Sequence, residues 1–261
     1  MPGGRPQGFV VGDHGTGMKF TESVGTWCTL ADPAVAEMAA GGGFEFVVVD
    51  TEHTPLGLET VADCLRAVDA GGSRSVVRVP WNDPVRIKRL LDLGPDGLLV
   101  PMVDDAAAAR EAVAATRYPP DGDRGIAAAR AAGYGRRFEE YVETGHRDLA
   151  VAVQVESEAA VGNAAEVATV EGIDALFVGP ADLSAALDCF GDPTAPAFRA
   201  AVETVLEAGE SAGVPVGTLG TTPEEIRTFG TLGFDFLVAG VDFIHLVEGQ
   251  QRAYSAAEDA L

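Results

Sequence analysis

The chain has 261 residues, with 40 acidic side chains against 18 basic ones and a net charge of −22. That balance argues against an electrostatic grip on nucleic acid or anionic lipid, since neutralising phosphate needs a basic surface. At 47% hydrophobic and 22% charged the chain can bury a sizeable core, which excludes disorder by composition. Only Lys19 and Lys88 are lysines and the other sixteen basic residues are arginines. Few lysines with a large acidic excess fit either a surface kept soluble in strong salt or an acidic protein from a GC-rich genome.

Residues 1–17, glycine-rich and ending near Thr16-Gly17, lack the apolar centre of a signal peptide and read as a loose arm ahead of Met18. From Ser23 onward, β-rich runs alternate with helical patterns, and the runs 24–27, 44–50, 75–79, 97–101, 149–156, 174–179, 214–219 and 235–240 read as eight strands. Stretches such as Val47-Val48-Val49 are apolar without alternation, as strands covered on both faces are. Between them, Leu58, Val61, Leu65 and Val68 recur at helical spacing, as do Phe198, Val202, Val205 and Leu206. Asp83-Pro84 and Thr222-Pro223-Glu224-Glu225 have the form of helix starts, and Gly172 and Gly213 sit where helices would stop.

Eight such alternations predict an α/β fold, a (β/α)8 barrel forming one domain over 18–261. The irregularity is 118–147, a Gly/Ala/Arg-rich stretch with a short helix around 138–142, expected to lie in a βα loop at the barrel mouth. No apolar run reaches the roughly 18 residues of a membrane span. Cys28, Cys64 and Cys189 are scattered, with no CxxC pair, and read as reduced thiols of a cytoplasmic protein.

Chemistry in such barrels sits at the carboxyl ends of the strands, and here those ends are polar. The second strand closes on Asp50-Thr51-Glu52-His53, the third carries Arg78, and the fifth closes on Gln154-Val155-Glu156. The sixth runs into Gly179-Pro180-Ala181-Asp182-Leu183-Ser184. Glu156 and Asp182 are hard oxygen donors on neighbouring strands, suited to Mg²⁺ or Mn²⁺, although either alone could cap a helix or pair with a cation. His53 has the pKa for general acid–base work and stands beside Asp50 and Glu52, while His14, His146 and His245 read as structural. Arg78, inside an apolar run, must either point into the mouth or pair with a buried carboxylate such as Asp50. No lysine lies on a strand, so Schiff-base chemistry has no candidate and carbonyl activation falls to a metal.

Several blocks together resemble the HpcH/HpaI aldolase family. They are Val48-Val49-Asp50-Thr51-Glu52-His53, Val77-Arg78-Val79-Pro80-Trp81-Asn82-Asp83, Leu99-Val100-Pro101-Met102-Val103, Tyr118-Pro119-Pro120, Arg124-Gly125, Gln154-Val155-Glu156 and Gly179-Pro180-Ala181-Asp182-Leu183-Ser184. The resemblance runs in order from about Gly25 to Gly249. It implies a class II pyruvate aldolase dependent on a divalent metal (Mg²⁺, Mn²⁺ or Co²⁺), which cleaves a 4-hydroxy-2-keto acid to pyruvate and an aldehyde. On that likeness Glu156 and Asp182 ligate the metal with Gln154 beside them, Arg78 contacts the keto oxygen, and Asp50 orients the site. Trp27 lines the pocket near Ala181, and the amides at Ala181-Asp182, after Gly179-Pro180, hold the pyruvate carboxylate. His53 moves protons in a dyad with Asp92 of another copy, which implies a homo-oligomer, a trimer or hexamer. Thr51, where glycine is frequent, and Pro95 depart from the family pattern without removing any of these groups. A citryl- or malyl-thioester lyase, a barrel that only abstracts a proton and a non-catalytic barrel binding a small acid remain as alternatives.

Overall fold

The structure is a computed structural model that describes residues 18–261 apart from Ala31 and His146. The expected arm over 1–17, with His14, and the expectation for His146 lie outside the described residues. The first half runs β1 (Val24–Cys28), α1 (Pro33–Ala40), β2 (Phe46–Asp50), α2 (Leu58–Gly71), β3 (Arg74–Arg78), α3 (Pro84–Leu91), β4 (Gly97–Val100) and α4 (Ala106–Thr116). A 3₁₀ turn (Arg130–Ala132) and α5 (Phe138–Thr144) lead to β5 (Ala150–Val155), α6 (Glu158–Ala168), β6 (Ala175–Val178) and α7 (Pro180–Ala186). The chain closes with α8 (Pro196–Ala212), β7 (Val216–Gly220), α9 (Pro223–Gly230), β8 (Phe236–Val241) and α10 (Asp242–Ala260). Each strand pairs in parallel with the next and β8 returns to β1, giving the expected closed barrel.

The period of two along each strand explains both the continuous apolar runs and the site. Val47, Val49, Val77, Leu98, Val153 and Leu176 face outward into the shell of helices. Phe46, Val48, Val76, Leu99, Ala152 and Phe177 face the barrel interior. The inward phase of β2 continues to Asp50, that of β3 to Arg78, that of β5 to Gln154 and Glu156, and that of β6 to Gly179. The uppermost inward layer is therefore polar because the sequence changes character there, without any change of backbone.

Below it the interior is aromatic. Trp27 and Phe177 stand 6.0 Å apart, Phe177 and Phe236 6.2 Å, and Phe20, ahead of β1, packs 4.8 Å from Phe236 at the amino end. Gly25 and Gly217 make room for these rings, since a Cβ at either would stand 2.3 Å from Phe46 or Phe236. Gly217→Ala is expected to lower the melting temperature by several degrees, because overpacking a core costs about 1–3 kcal/mol. Gly162→Ala, in the interior of α6 with nothing within 4 Å, should raise it slightly. Thermal unfolding of the two variants checks both signs.

Local signals explain the helix boundaries. Asp83 caps α3 by accepting from Arg86 N–H, and Thr222 with Glu225 closes a capping box on α9. Gly213 ends α8 in the left-handed region at φ 70°, whereas α6 stops at Ala168 and Gly172 lies beyond it in the loop. The stretch 118–147 is corrected: α4 precedes it, so it joins a helix to β5 at the amino face of the barrel, away from the mouth. Alanine supplies most of the buried face of α4, with Val113 its one large apolar residue, so large-residue periodicity did not reveal the helix. No helix among the described residues is long and apolar enough to cross a membrane.

Candidate active site

Asp50 and Arg78 are paired across adjacent strands and both are buried, at 1% and 8% exposure. Arg78 donates from Nε to Asp50 Oδ1 at 2.8 Å and from Nη2 to Oδ2 at 2.7 Å, a bidentate fork. Its remaining nitrogen, Nη1, reaches Glu52 Oε2 at 2.9 Å. Burial alone would raise the Asp50 carboxyl, but the Arg78 hydrogen bonds and charge, with the Glu52 amide, hold it below its ordinary value. Both expectations for Arg78 are met at once, since it aims into the mouth and is paired with Asp50. Trp27 is buried under the guanidinium, 4.7 Å from its carbon, so it forms the floor of the site. Thr51 ties the loop down by donating from Oγ1 to the Arg78 carbonyl at 2.6 Å.

Glu156 lies on the other side of the mouth at 5% exposure. Its Oε1 accepts from Met102 N–H at 2.7 Å and its Oε2 from Gln154 Nε2 at 2.8 Å. Burial, with the charges of Asp182 and Glu52, pushes its carboxyl up to about 7, against weaker lowering by Met102 and Arg78. The capping alternatives fail. Ser157 caps α6, and Asp182 sits in the first turn of α7 behind the N-cap Gly179, where no side chain caps the helix. A Cβ at Gly179 would stand 2.8 Å from Glu156 Oε2, so glycine is what leaves the carboxylate its place. The first intrahelical bond of α7 runs from Leu183 N–H to Gly179 at 3.0 Å, which leaves the amides of Ala181 and Asp182 at the open end of the helix.

The donor set fits a hard divalent cation. Among the described residues no three or more acidic, histidine or cysteine side chains form a ready-made cage. Mg²⁺ needs none, because it commonly takes one or two carboxylates and fills its other positions with water or substrate. Gln154 Oε1 is buried without a partner beside Glu156, an acceptor waiting for a donor. Burial with the charges of Asp182 and Glu52 raises Glu156, and burial with the charges of Asp50 and Asp182 raises Glu52, an excess of negative charge that a cation would relieve.

His53 is 71% exposed at the rim, with Nε2 3.9 Å from Glu52 Oε1. Asp92 is not brought to it. It caps the carboxyl end of α3 at the opposite, amino face, where Arg124 Nη2 holds its Oδ1 at 3.2 Å. Two residues quoted in the sequence blocks were given no role of their own. Glu52 was named only as company for His53, although it follows the inward phase of Asp50, and nothing local marks Arg124 as the partner of Asp92.

The model of the HpcH/HpaI aldolase/citrate lyase family matches residues 23–249. A 4-hydroxy-2-oxo-heptane-1,7-dioate aldolase of Salmonella arizonae is 42% identical over 229 residues, 87% of this chain and 87% of that protein. Among solved structures, an HpcH/HpaI aldolase/citrate lyase family protein of Burkholderia cenocepacia J2315 superposes with a TM-score of 0.87 at 36% identity, covering 92% of this chain and 95% of the other. An HpcH/HpaI aldolase of Desulfitobacterium hafniense DCB-2 gives 0.82 at 26% identity, covering 92% and 93%.

Proposed function

The chain belongs to the HpcH/HpaI aldolase/citrate lyase family, and from that premise we propose that it is a divalent-metal-dependent aldolase. It reversibly cleaves a 4-hydroxy-2-keto acid, with 4-hydroxy-2-oxoheptane-1,7-dioate the first to try, into pyruvate and an aldehyde. The observation that carries this reading is the facing of one arginine, fixed by two carboxylates, and a second acidic pair whose leading member is pushed up to about 7. One half offers a cation for a developing oxyanion and the other a seat for a metal.

Glu156 and Asp182 would hold Mg²⁺, Mn²⁺ or Co²⁺, which when bound polarises the keto acid's carboxylate and keto oxygens. The Ala181 and Asp182 amides orient the substrate carboxylate, and Gly179-Pro180 sets the helix start that presents them. Gln154 and Met102 fix the Glu156 carboxylate, and Asp50 and Glu52 fix the Arg78 guanidinium. Arg78 stabilises the enolate oxygen as the carbon–carbon bond breaks, and Trp27 shields it from below. His53 accepts the 4-hydroxyl proton while the bonding electrons pass to the enolate, and gives a proton back to the enolate carbon.

The protein works as a homo-oligomer, a trimer or hexamer, in which Asp92 of a second copy completes the dyad with His53. Two features support that. Asp92 and His53 lie at opposite ends of their own barrel. The helix α10 buries none of its residues, and it carries Phe243, Leu246 and Val247 exposed at helical spacing. Residues 18–261 act as one barrel domain, and three unpaired cysteines fit the cytoplasm.

The test is exchange of pyruvate methyl protons in deuterated water. Exchange should require an added divalent cation and stop on chelation. Exchange indifferent to chelator, or absent with all three metals, would overturn the reading.

A further inference from the structure

Resting on the proposed role of Asp92, we infer that Arg124 is a positioning residue, which presents Asp92 to the active site of a second copy. The Arg124 side chain is only 1% exposed, although it lies in the connection between α4 and β5 at the amino face. Its guanidinium lies between two rings, 4.7 Å from the centre of Tyr118 and 5.5 Å from that of Tyr141. The two rings meet edge to face at 74°. Nη1 reaches Tyr141 OH at 3.3 Å and Nη2 reaches Asp92 Oδ1 at 3.2 Å. The backbone holds the cage in place: Arg124 N–H bonds the Arg117 carbonyl at 2.9 Å, and Ala131 N–H bonds the Asp92 carbonyl at 3.2 Å.

Stability does not account for this arrangement. Burying a guanidinium costs more than a partly exposed carboxylate returns, and apolar residues of the same volume would serve the fold as well or better. Two further polar atoms are left buried without partners, Arg124 Nε and Tyr118 OH. What the cage achieves is directional. Asp92 keeps 24% of its side chain exposed while one oxygen is fixed, so a charged group at the end of a helix is held in one orientation toward the surface. Ile126, two residues beyond Arg124, is 53% exposed and offers an apolar contact for the copy that receives it.

Subunit mixing tests this. Arg124→Gln alone should lose on the order of 10²-fold in kcat with KM unchanged, the scale of a misplaced group. Coexpression of His53→Ala with Asp92→Asn should restore activity, because mixed oligomers contain sites with one intact member from each copy. Arg124→Gln should then restore activity with His53→Ala and fail to do so with Asp92→Asn. Success with His53→Ala also proves that the Arg124→Gln copy folds, since its own His53 completes the working site. The reverse pattern would place Arg124 in its own copy's mouth and overturn the inference. Restoration with neither, for Arg124→Gln and Tyr141→Phe alike, would reduce the cage to a folding element and overturn it too. If His53→Ala and Asp92→Asn themselves fail to complement, the shared-site reading of Asp92 is what falls.

Discussion

Arg78→Ala is expected to remove aldol turnover and to destabilise the barrel together. Losing the donor nearest the developing oxyanion should lower kcat by about 10²–10³-fold or more. The structural loss is separate. Asp50, 1% exposed, keeps its position with only the Glu52 amide left on Oδ1, and an uncompensated buried charge costs roughly 3–5 kcal/mol. The pH dependence follows with a definite sign. In the wild type Asp50 is held below its unfolded value, so it contributes stability that is present above that value and lost as pH falls through the folded one. In the variant the Arg78 hydrogen bonds and charge no longer oppose burial, and the Asp50 carboxyl moves up. The deficit is therefore largest at neutral pH and shrinks as the medium becomes acidic enough to protonate Asp50. Adding Asp50→Asn to Arg78→Met should recover most of the melting temperature and none of the turnover. Thermal unfolding across pH, run beside a pyruvate-release assay, separates the two losses. An Arg78→Ala protein that melts like the wild type at neutral pH would contradict the buried ion pair.

Much of this molecule can be read from its chain because barrel strands report on themselves. Eight apolar runs lie where eight strands form, with ends displaced by a residue or two, since covered strands need β-branched residues on both faces. Caps at Asp83 and Thr222 are equally local, one side chain bonding an amide three residues on. The polar strand ends at Asp50, Arg78, Gln154 and Glu156 were legible for the same reason, because polarity is conspicuous where the inward phase is otherwise apolar. What escaped depends on distance. Alanine-rich α4 has almost no side-chain volume with which to mark its buried face, so the stretch after it was assigned to the wrong end of the barrel. The pairing of Asp92 with Arg124 spans 32 positions and is set by how two connections pack, information that no local pattern carries.

Glu156→Gln should behave in the opposite way to Arg78→Ala, losing function while the metal-free protein gains stability. The glutamine has the shape of the glutamate, and Gly179 still leaves it room. Its amide nitrogen would meet a donor at the Gln154 Nε2 position, but Gln154 can rotate and offer Oε1, which has no partner in the native arrangement. The new oxygen then stays on Met102 N–H, where Glu156 Oε1 accepts at 2.7 Å. The rotation carries Gln154 Nε2 to the buried place that Oε1 held, so one unpartnered acceptor is exchanged for one unpartnered donor and the balance of buried polar atoms is unchanged. What disappears is a carboxylate that burial and the charges of Asp182 and Glu52 push from 4.5 to about 7, equivalent to about 3 kcal/mol recovered above neutrality. The melting temperature at pH 8 without metal should therefore rise by several degrees. Added Mg²⁺ or Mn²⁺ should stabilise the wild type and leave Glu156→Gln unmoved, because binding to the native state alone is what raises apparent stability. Aldol cleavage should fall to the limit of detection. A variant that melts lower than the wild type without metal would show that the negative charge at Glu156 is already compensated by the protein itself. The case for a cation between Glu156 and Asp182 would then lose its physical basis.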